Sequence, residues 1–434
     1  MTTGSARAPA LDPPLREAHM TDTDLRPAPP ASPARPPVAL AARLAGIRGS
    51  AIRDLLTLTA RDDVLSLAGG LPAADLMPRG RIAAAADRAL RSPAAVQYSE
   101  TAGLARLREV VAAHETGRTG RAVAPADVVV TSGSQQALDL LARALLDPGD
   151  PVAVEDPVYV GALQVLQAAG ADVHPFPLDA DGLRVDVLEE RLAAGFRPRL
   201  VHTVSSFHNP RGVTMSQERR RALCGLAERY GFLVVEDDPY GLLAFDGAPP
   251  LPLAAHGDHV VRLGSASKVL APSLRVGWLV APPVLAAAVE RLKQSTDLCG
   301  SSLTQMITAE LLADEEWFAA HVDGVRRENR GRAAALTAAV DAEFGSSVTR
   351  STPTGGMFCW LEFADGTDTA ELLPRALEHG VGFVPGSAFS VDPAADGGAG
   401  LRSAARLCFA TYPPDQLTEA VRRLARAASV RIAE

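Results

Sequence analysis

The chain predicts an α/β protein, with a mainly parallel central sheet in a large domain and a smaller α+β domain towards the C-terminus. Three observations carry this. Between roughly residues 80 and 300, short β-branched runs alternate with helical patterns. After about residue 315 the alternation gives way to a long polar helical stretch, a few strands and a closing helix. The 434 residues, 47% of them hydrophobic, are enough to fill two cores. The expected division is a Pro-rich extension over 1–40, an N-terminal arm and helix over 41–80, a large domain over 81–315 and a small domain over 316–434.

The elements follow in order. Pro27, Pro29, Pro30, Pro33, Pro36 and Pro37 break any hydrophobic period at the start, so that segment is expected to be disordered. A helix is expected from Ala41, and the apolar stretch after Leu65 ends in the turn signal Gly69-Gly70-Leu71-Pro72. A strand over 128–130 leads to Ser134 and a helix with Leu138, Leu141 and Leu145 on one face, closed by Asp147-Pro148-Gly149-Asp150. Further strands are expected over 151–154, 200–204, 232–235, 260–263 and 275–280, then over 358–363 and 406–409.

A net charge of -8 argues against a general nucleic-acid or anionic-membrane partner, which would need a dominant basic surface. Cys224, Cys299, Cys359 and Cys408 show neither CxxC pairing nor His spacing, so free thiols are expected, with no metal site. Without a membrane-length apolar run or a signal-peptide pattern, a cytoplasmic location is expected.

Lys268 and Lys293 are the only lysines in a chain that otherwise uses arginine for its cations. An amine can shed its proton and attack a carbonyl, which a guanidinium cannot do. Lys293 lies in an amphipathic helical stretch over 286–298 and reads as a solvated face residue, which leaves Lys268 as the candidate nucleophile.

In open α/β sheets ligands bind beyond the carboxyl ends of the strands, and polar residues gather there. Thr131-Ser132-Gly133-Ser134-Gln135 follows a strand and opens a helix, a suitable place for a phosphate, though equally a simple cap. Ser265-Ala266-Ser267-Lys268, with Arg275 seven residues on, would make a second half of an anion site. Glu236-Asp237-Asp238-Pro239-Tyr240 sets carboxylates against an apolar strand end, open to a ligand proton, a magnesium ion or helix capping. Phe207-His208-Asn209-Pro210-Arg211-Gly212 alone reads as a turn.

Together these segments resemble the fold-type-I pyridoxal-phosphate aminotransferases, in the branch of the 2-aminoadipate and kynurenine aminotransferases. The resemblance runs through SLAGGLP, VQYSETAGLARLRE, TSGSQQALDLLA, DPVYVGAL, FHNPRG, VVEDDPY, LGSASKVLAPSLRVGW, PTGGMFCWLE, VGFVPGSAF and ARLCFATY, collinear over nearly everything after residue 45. It implies an amino transfer between an L-amino acid and a 2-oxo acid by a ping-pong cycle, with glutamate and 2-oxoglutarate as one pair.

The resemblance also implies roles. Lys268 would be the Schiff-base lysine and proton carrier. Asp237 would keep the pyridine nitrogen of pyridoxal 5′-phosphate protonated, so that the ring acts as an electron sink. Tyr240 and Asn209 would bond its phenolic oxygen, and Tyr159 would stack on the ring. Ser134, Gln135, Ser265, Ser267 and Arg275 would hold the phosphate, joined by Tyr98 from a neighbouring subunit, which implies a homodimer. Arg406 would clamp the substrate α-carboxylate. Arg53 would meet a distal carboxylate, with Gly69 and Gly70 on the opposite wall.

The sequence departs from the family's common residues at His208, Arg211, Ala266 and Ser390, which puts side-chain specificity (2-aminoadipate-like, aromatic or branched) in doubt and leaves the cofactor positions intact. Competing readings are a decarboxylase or lyase on the same cofactor, and a regulator with an aminotransferase-like domain. The latter needs a DNA-reading module, for which the segment before Ala41 is too short.

Overall fold

The computed structural model describes residues 61, 63–392 and 399–429. The expected extension over 1–40, the helix from Ala41 and Arg53 lie outside the described residues. In chain order the elements are β1 (Leu65–Ser66), α1 (Arg79–Ala89), α2 (Ala105–Thr119), β2 (Val128–Thr131), α3 (Ser134–Leu145), β3 (Pro151–Asp156), α4 (Val160–Ala168), β4 (Asp172–Asp179), β5 (Gly182–Leu183), α5 (Val185–Ala193), β6 (Leu200–Thr203), α6 (Gln217–Tyr230), β7 (Leu233–Asp237), β8 (Val260–Ser265) and β9 (Gly277–Val280). There follow α7 (Pro283–Thr296), α8 (Ser302–Ala313), α9 (Glu315–Phe344), β10 (Val348–Arg350), β11 (Phe358–Phe363), α10 (Thr369–Glu378), β12 (Val381–Gly382), β13 (Val384–Pro385), α11 (Ala399–Arg402), β14 (Ala404–Cys408) and α12 (Pro414–Ser429).

Eight strands form the large sheet in the order β2-β9-β8-β7-β6-β3-β4-β5. Strands β4, β3, β6, β7 and β8 run parallel, and β9 is antiparallel to both its neighbours. Parallel strands need crossovers, and the helices cover both faces. Leu138, Leu141, Leu166 and Val289 close one face, while Leu188, Leu192, Leu223 and Phe232 close the other. The loops after β3, β6, β7 and β8 therefore share one edge of the sheet.

Strand β4 was not expected, because Pro175 and Pro177 interrupt its sequence. It pairs with β3 along most of its length but with β5 only at Leu178 and Asp179, so the prolines need supply no N–H on that open side. The expected strand over 275–280 begins later, at Gly277, since Arg275 adopts a left-handed φ of 50°. A second, antiparallel sheet, β10-β11-β14-β13, places Arg406 on its inner strand β14, opposite Trp360 and Val384. Among the described residues, no helix is long and apolar enough to cross a membrane.

Lys293 corrects the sequence reading. It is fully buried rather than solvated, and it shares its helix face with buried Ala286 and Val289. The spacing i, i+3, i+7 puts all three on the side of α7 that packs inward.

Candidate active site

The strand-end loops and the small sheet enclose a cavity of about 730 Å³, lined by Gly70, Ser134, Gln135, Tyr159, Asn209, Asp237, Tyr240, Ser265, Ser267, Lys268, Arg275 and Arg406. Residues up to 336 positions apart in sequence, Gly70 and Arg406, thus meet at one place. Of the expected site residues, Gly69 and Tyr98 are absent from this wall, and Tyr98 is 77% exposed on the surface of its own chain. Gln164 and Pro272 also line the cavity, although nothing in their local sequence pointed there.

Lys268 follows β8 through the turn Ser265-Ala266-Ser267, and its Nζ donates to the Gly70 carbonyl at 2.7 Å. Its pKa is pushed down from 10.5 to about 8. Burial is the largest cause; Cys408 and Asp237 pull upward, while the Arg406 and Arg275 guanidiniums press down.

Asp237 ends β7, where strand alternation turns it away from Glu236 and Asp238. Its Oδ1 is buried without a hydrogen-bond partner, and its Oδ2 lies 3.8 Å from His202 Nε2, which is also unpartnered. Asp238 instead braces the turn after β7, accepting from the Gly241 N–H at 2.7 Å. On that side Arg262 reaches Glu115 (2.6 Å), Asp238 (2.9 Å) and Glu236 (3.2 Å), and Arg220 also meets Glu236 at 3.2 Å. This buried network was missed in the sequence; Arg262 interrupting the apolar run of β8 was the available signal.

The start of α3 shapes a second corner of the cavity. Gly133 takes a φ of 112°, and the helix start has no side-chain cap, so its first N–H groups remain open to an anion. A Cβ at Gly133 would come within 2.9 Å of the Arg275 guanidinium, and that guanidinium donates to the Ser132 carbonyl. The Gln135 amide nitrogen is committed to the Gly161 carbonyl at 2.8 Å, which leaves its backbone N–H as its contribution to such a site.

Burial raises the Tyr159 and Tyr240 hydroxyl pKa values well above the ordinary range, so both stay neutral. Asn209 hydrogen-bonds Tyr240 and accepts from Arg406 at 2.7 Å through its Oδ1. The guanidinium of Arg406 sits 4.4 Å from the Phe358 ring and donates to the Ala68 carbonyl at 2.5 Å, and its buried Nε is unpartnered. His208, one of the departures from the family's common residues, is buried with its Nε2 3.1 Å from Glu155. It therefore supports the turn from below rather than facing the cavity.

These groups fit pyridoxal phosphate. An unpartnered carboxylate oxygen suits a pyridinium N–H, an uncapped helix start with hydroxyls and a guanidinium suits a phosphate, and a low-pKa amine suits an aldehyde. Among the described residues no group of three His, Cys, Asp or Glu side chains could hold a metal ion.

The sequence model of the family described as aminotransferase class I and II matches residues 62–424. The 2-aminoadipate transaminase of Thermus thermophilus is 42% identical over 390 residues, covering 88% of this chain and 94% of that protein. The aromatic-amino-acid aminotransferase 1 of Thermococcus litoralis is 37% identical over 388 residues, covering 88% and 91%. Among solved structures, LysN, an α-aminoadipate aminotransferase also from Thermus thermophilus and complexed with N-(5′-phosphopyridoxyl)-L-leucine, superposes with a TM-score of 0.83 at 38% identity, covering 91% of this chain and 98% of that one.

Proposed function

The chain belongs to the class I and II aminotransferase family and is a pyridoxal-phosphate-dependent enzyme; from that premise we propose that it runs a ping-pong transfer with glutamate and 2-oxoglutarate as one substrate pair. The observation that carries this reading is a single cavity joining a buried amine of pKa about 8, an unpartnered carboxylate and a buried guanidinium. The cofactor supplies a carbonyl for covalent attachment of amines and a ring that accepts the electron pair left at the substrate Cα.

The protein's own groups do the rest. Asp237 Oδ1 would hold a proton on the ring nitrogen, and Tyr240 and Asn209 would direct hydrogen bonds at the phenolic oxygen. Tyr159 would pack against the ring. The α3 start, Ser134, Gln135, Ser265, Ser267 and Arg275 would bind the phosphate, with Tyr98 of a second copy completing that cup in a homodimer. The 77% exposure of Tyr98 supports this assignment, since an aromatic side chain left on the surface is available to a partner.

Arg406 grips the α-carboxylate. Because every amino acid and its 2-oxo acid carry that group, one clamp serves both halves of the cycle. Lys268, its lowered pKa making the unprotonated amine accessible near neutral pH, takes the proton from the substrate Cα and returns one on the reverse leg. Phe358 and Arg406 close around the carboxylate end, so selectivity falls to the side-chain wall near Gly70 and Gln164. The relatives named for 2-aminoadipate and for aromatic amino acids, and the related structure carrying a leucine adduct, support a side chain that is 2-aminoadipate-like, aromatic or branched.

The test is a single half-reaction. Glutamate added to the cofactor-loaded protein without any acceptor should bleach the visible band and release one equivalent of 2-oxoglutarate. Release of carbon dioxide, or of ammonia without 2-oxoglutarate, overturns the transfer reading. A panel of acidic, aromatic and branched amino acids with 2-oxoglutarate then ranks the second substrate.

A further inference from the structure

Lys293 does not line the cavity, yet it is joined to it. Its fully buried Nζ donates to Asp297 Oδ1 at 2.6 Å. Asp297 Oδ2 accepts from Gln136 Nε2 at 2.8 Å, and Gln136 Oε1 accepts the Ser132 N–H at 2.7 Å. On the far side of that residue, the Ser132 carbonyl accepts from Arg275.

The chain of bonds has one polarity. An ammonium can only donate and a carboxylate can only accept, so the Gln136 amide must turn its NH₂ to Asp297 and its oxygen to the loop. The Ser132 N–H is thereby drawn away from the cavity, and the N–H groups at the start of α3 are the ones left for an anion. Gly277 packs against the other side of the same loop, where a Cβ would lie 2.7 Å from the Gly133 backbone. The loop is held in front by Arg275 and from behind by the Lys293-Asp297-Gln136 relay. Asp297 is 25% exposed at its side chain, so without the ammonium it would be free to swing to water.

We propose that Lys293 is a positioning residue for the phosphate cup, acting through Asp297 and Gln136 on the loop at Ser132 and Gly133. This rests on the reading that the start of α3 receives the cofactor's phosphate.

The test compares the affinity of the cofactor-stripped full-length chain for pyridoxal phosphate and for pyridoxal, which lacks the phosphate. Lys293→Met replaces the buried cation by an apolar chain of similar length; removing one partner of a buried pair is costly, and the 25% exposure of the Asp297 side chain lets the stranded carboxylate turn to water. Gln136→Leu cuts the relay in the middle while leaving the Lys293–Asp297 pair in place, and serves should the first variant not fold. Each is expected to weaken pyridoxal phosphate about tenfold, ~1.4 kcal/mol, with pyridoxal affected by less than about twofold. The double variant should be no weaker than the worse single one, as two cuts in one path are not additive.

A general structural role would lower both affinities together, and that result overturns the proposal. Arg275→Ala separates the two levels. If it abolishes the preference for the phosphorylated form while Lys293→Met and Gln136→Leu keep it, the relay is wrong and the cup stands. If Arg275→Ala also keeps the preference, the cup reading itself fails and the relay with it.

Discussion

The lowered pKa of Lys268 makes the capture of cofactor a titration of one side chain. Moving from 10.5 to about 8 corresponds to ~3 kcal/mol of selective destabilisation of the ammonium, most of it from burial. At pH 7.5 roughly a quarter of the amine is then unprotonated, against about one part in a thousand for an ordinary lysine. The rate constant for capture of pyridoxal phosphate by the stripped protein, followed by its visible band from pH 6 to 10, should climb with pH and level off above about 8. A rate still climbing at pH 10 would mean an amine in its ordinary state and refute the reasoning; Lys268→Ala should capture nothing. Stability offers a second reading of the same shift. Because the folded pKa is the lower one, the unfolded chain binds more protons between pH 8 and 10.5, so the stability of the stripped protein rises across that window. Below pH 8 the full cost of up to ~3 kcal/mol is present, and Lys268→Met should remove it, raising the melting temperature at pH 7.

Arg406→Lys keeps the charge but loses the two-pronged contact. KM for amino acids should rise by one to two orders of magnitude, about 1.5–3 kcal/mol, with the cofactor band retained; an unchanged KM would remove Arg406 from the substrate site. Asp237→Asn should keep the cofactor yet slow the glutamate half-reaction at least 100-fold, ~2.7 kcal/mol, and a wild-type rate in stopped-flow would exclude the electron-sink role. Burial, the largest single cause, would raise Glu115 and Asp238, but Arg262 together with His114 and Trp278 around Glu115, and with Arg118 and Arg220 around Asp238, outweighs it and both carboxyls are held below the ordinary range. Their stabilising contribution is therefore present above about pH 4 and lost as pH falls through their lower folded values. Arg262→Met should cost ~3–5 kcal/mol in denaturant unfolding at pH 7, and less at mildly acid pH as the stranded carboxyls protonate; an undiminished midpoint would show that the network does not support β7 and β8.

Much of the fold was legible because strand and helix periods are local. The runs at Val128, Leu200, Val234 and Val260 become strands of one sheet, and their trailing polar residues meet where parallel strands end. Strand alternation also implied that Asp237 and Asp238 face opposite ways. What it could not supply was which face held the cavity and which held Arg262, because that depends on the helices packed on each side. Similarly, the Ala286, Val289 and Lys293 spacing placed the three on one face of α7, while charge alone suggested water.

The sequence by itself determined the alternating α/β plan, the loops that carry the chemistry and the one lysine suited to react, since each depends on residues close along the chain. Only the tertiary structure decided that Arg406 of a separate sheet would close over Lys268, that Lys293 would be buried behind the phosphate loop, and that a carboxylate oxygen of Asp237 would be left without a partner. Those outcomes depend on burial and on polar groups finding one another across long sequence distances, and both are properties of packed surfaces rather than of any local run of residues.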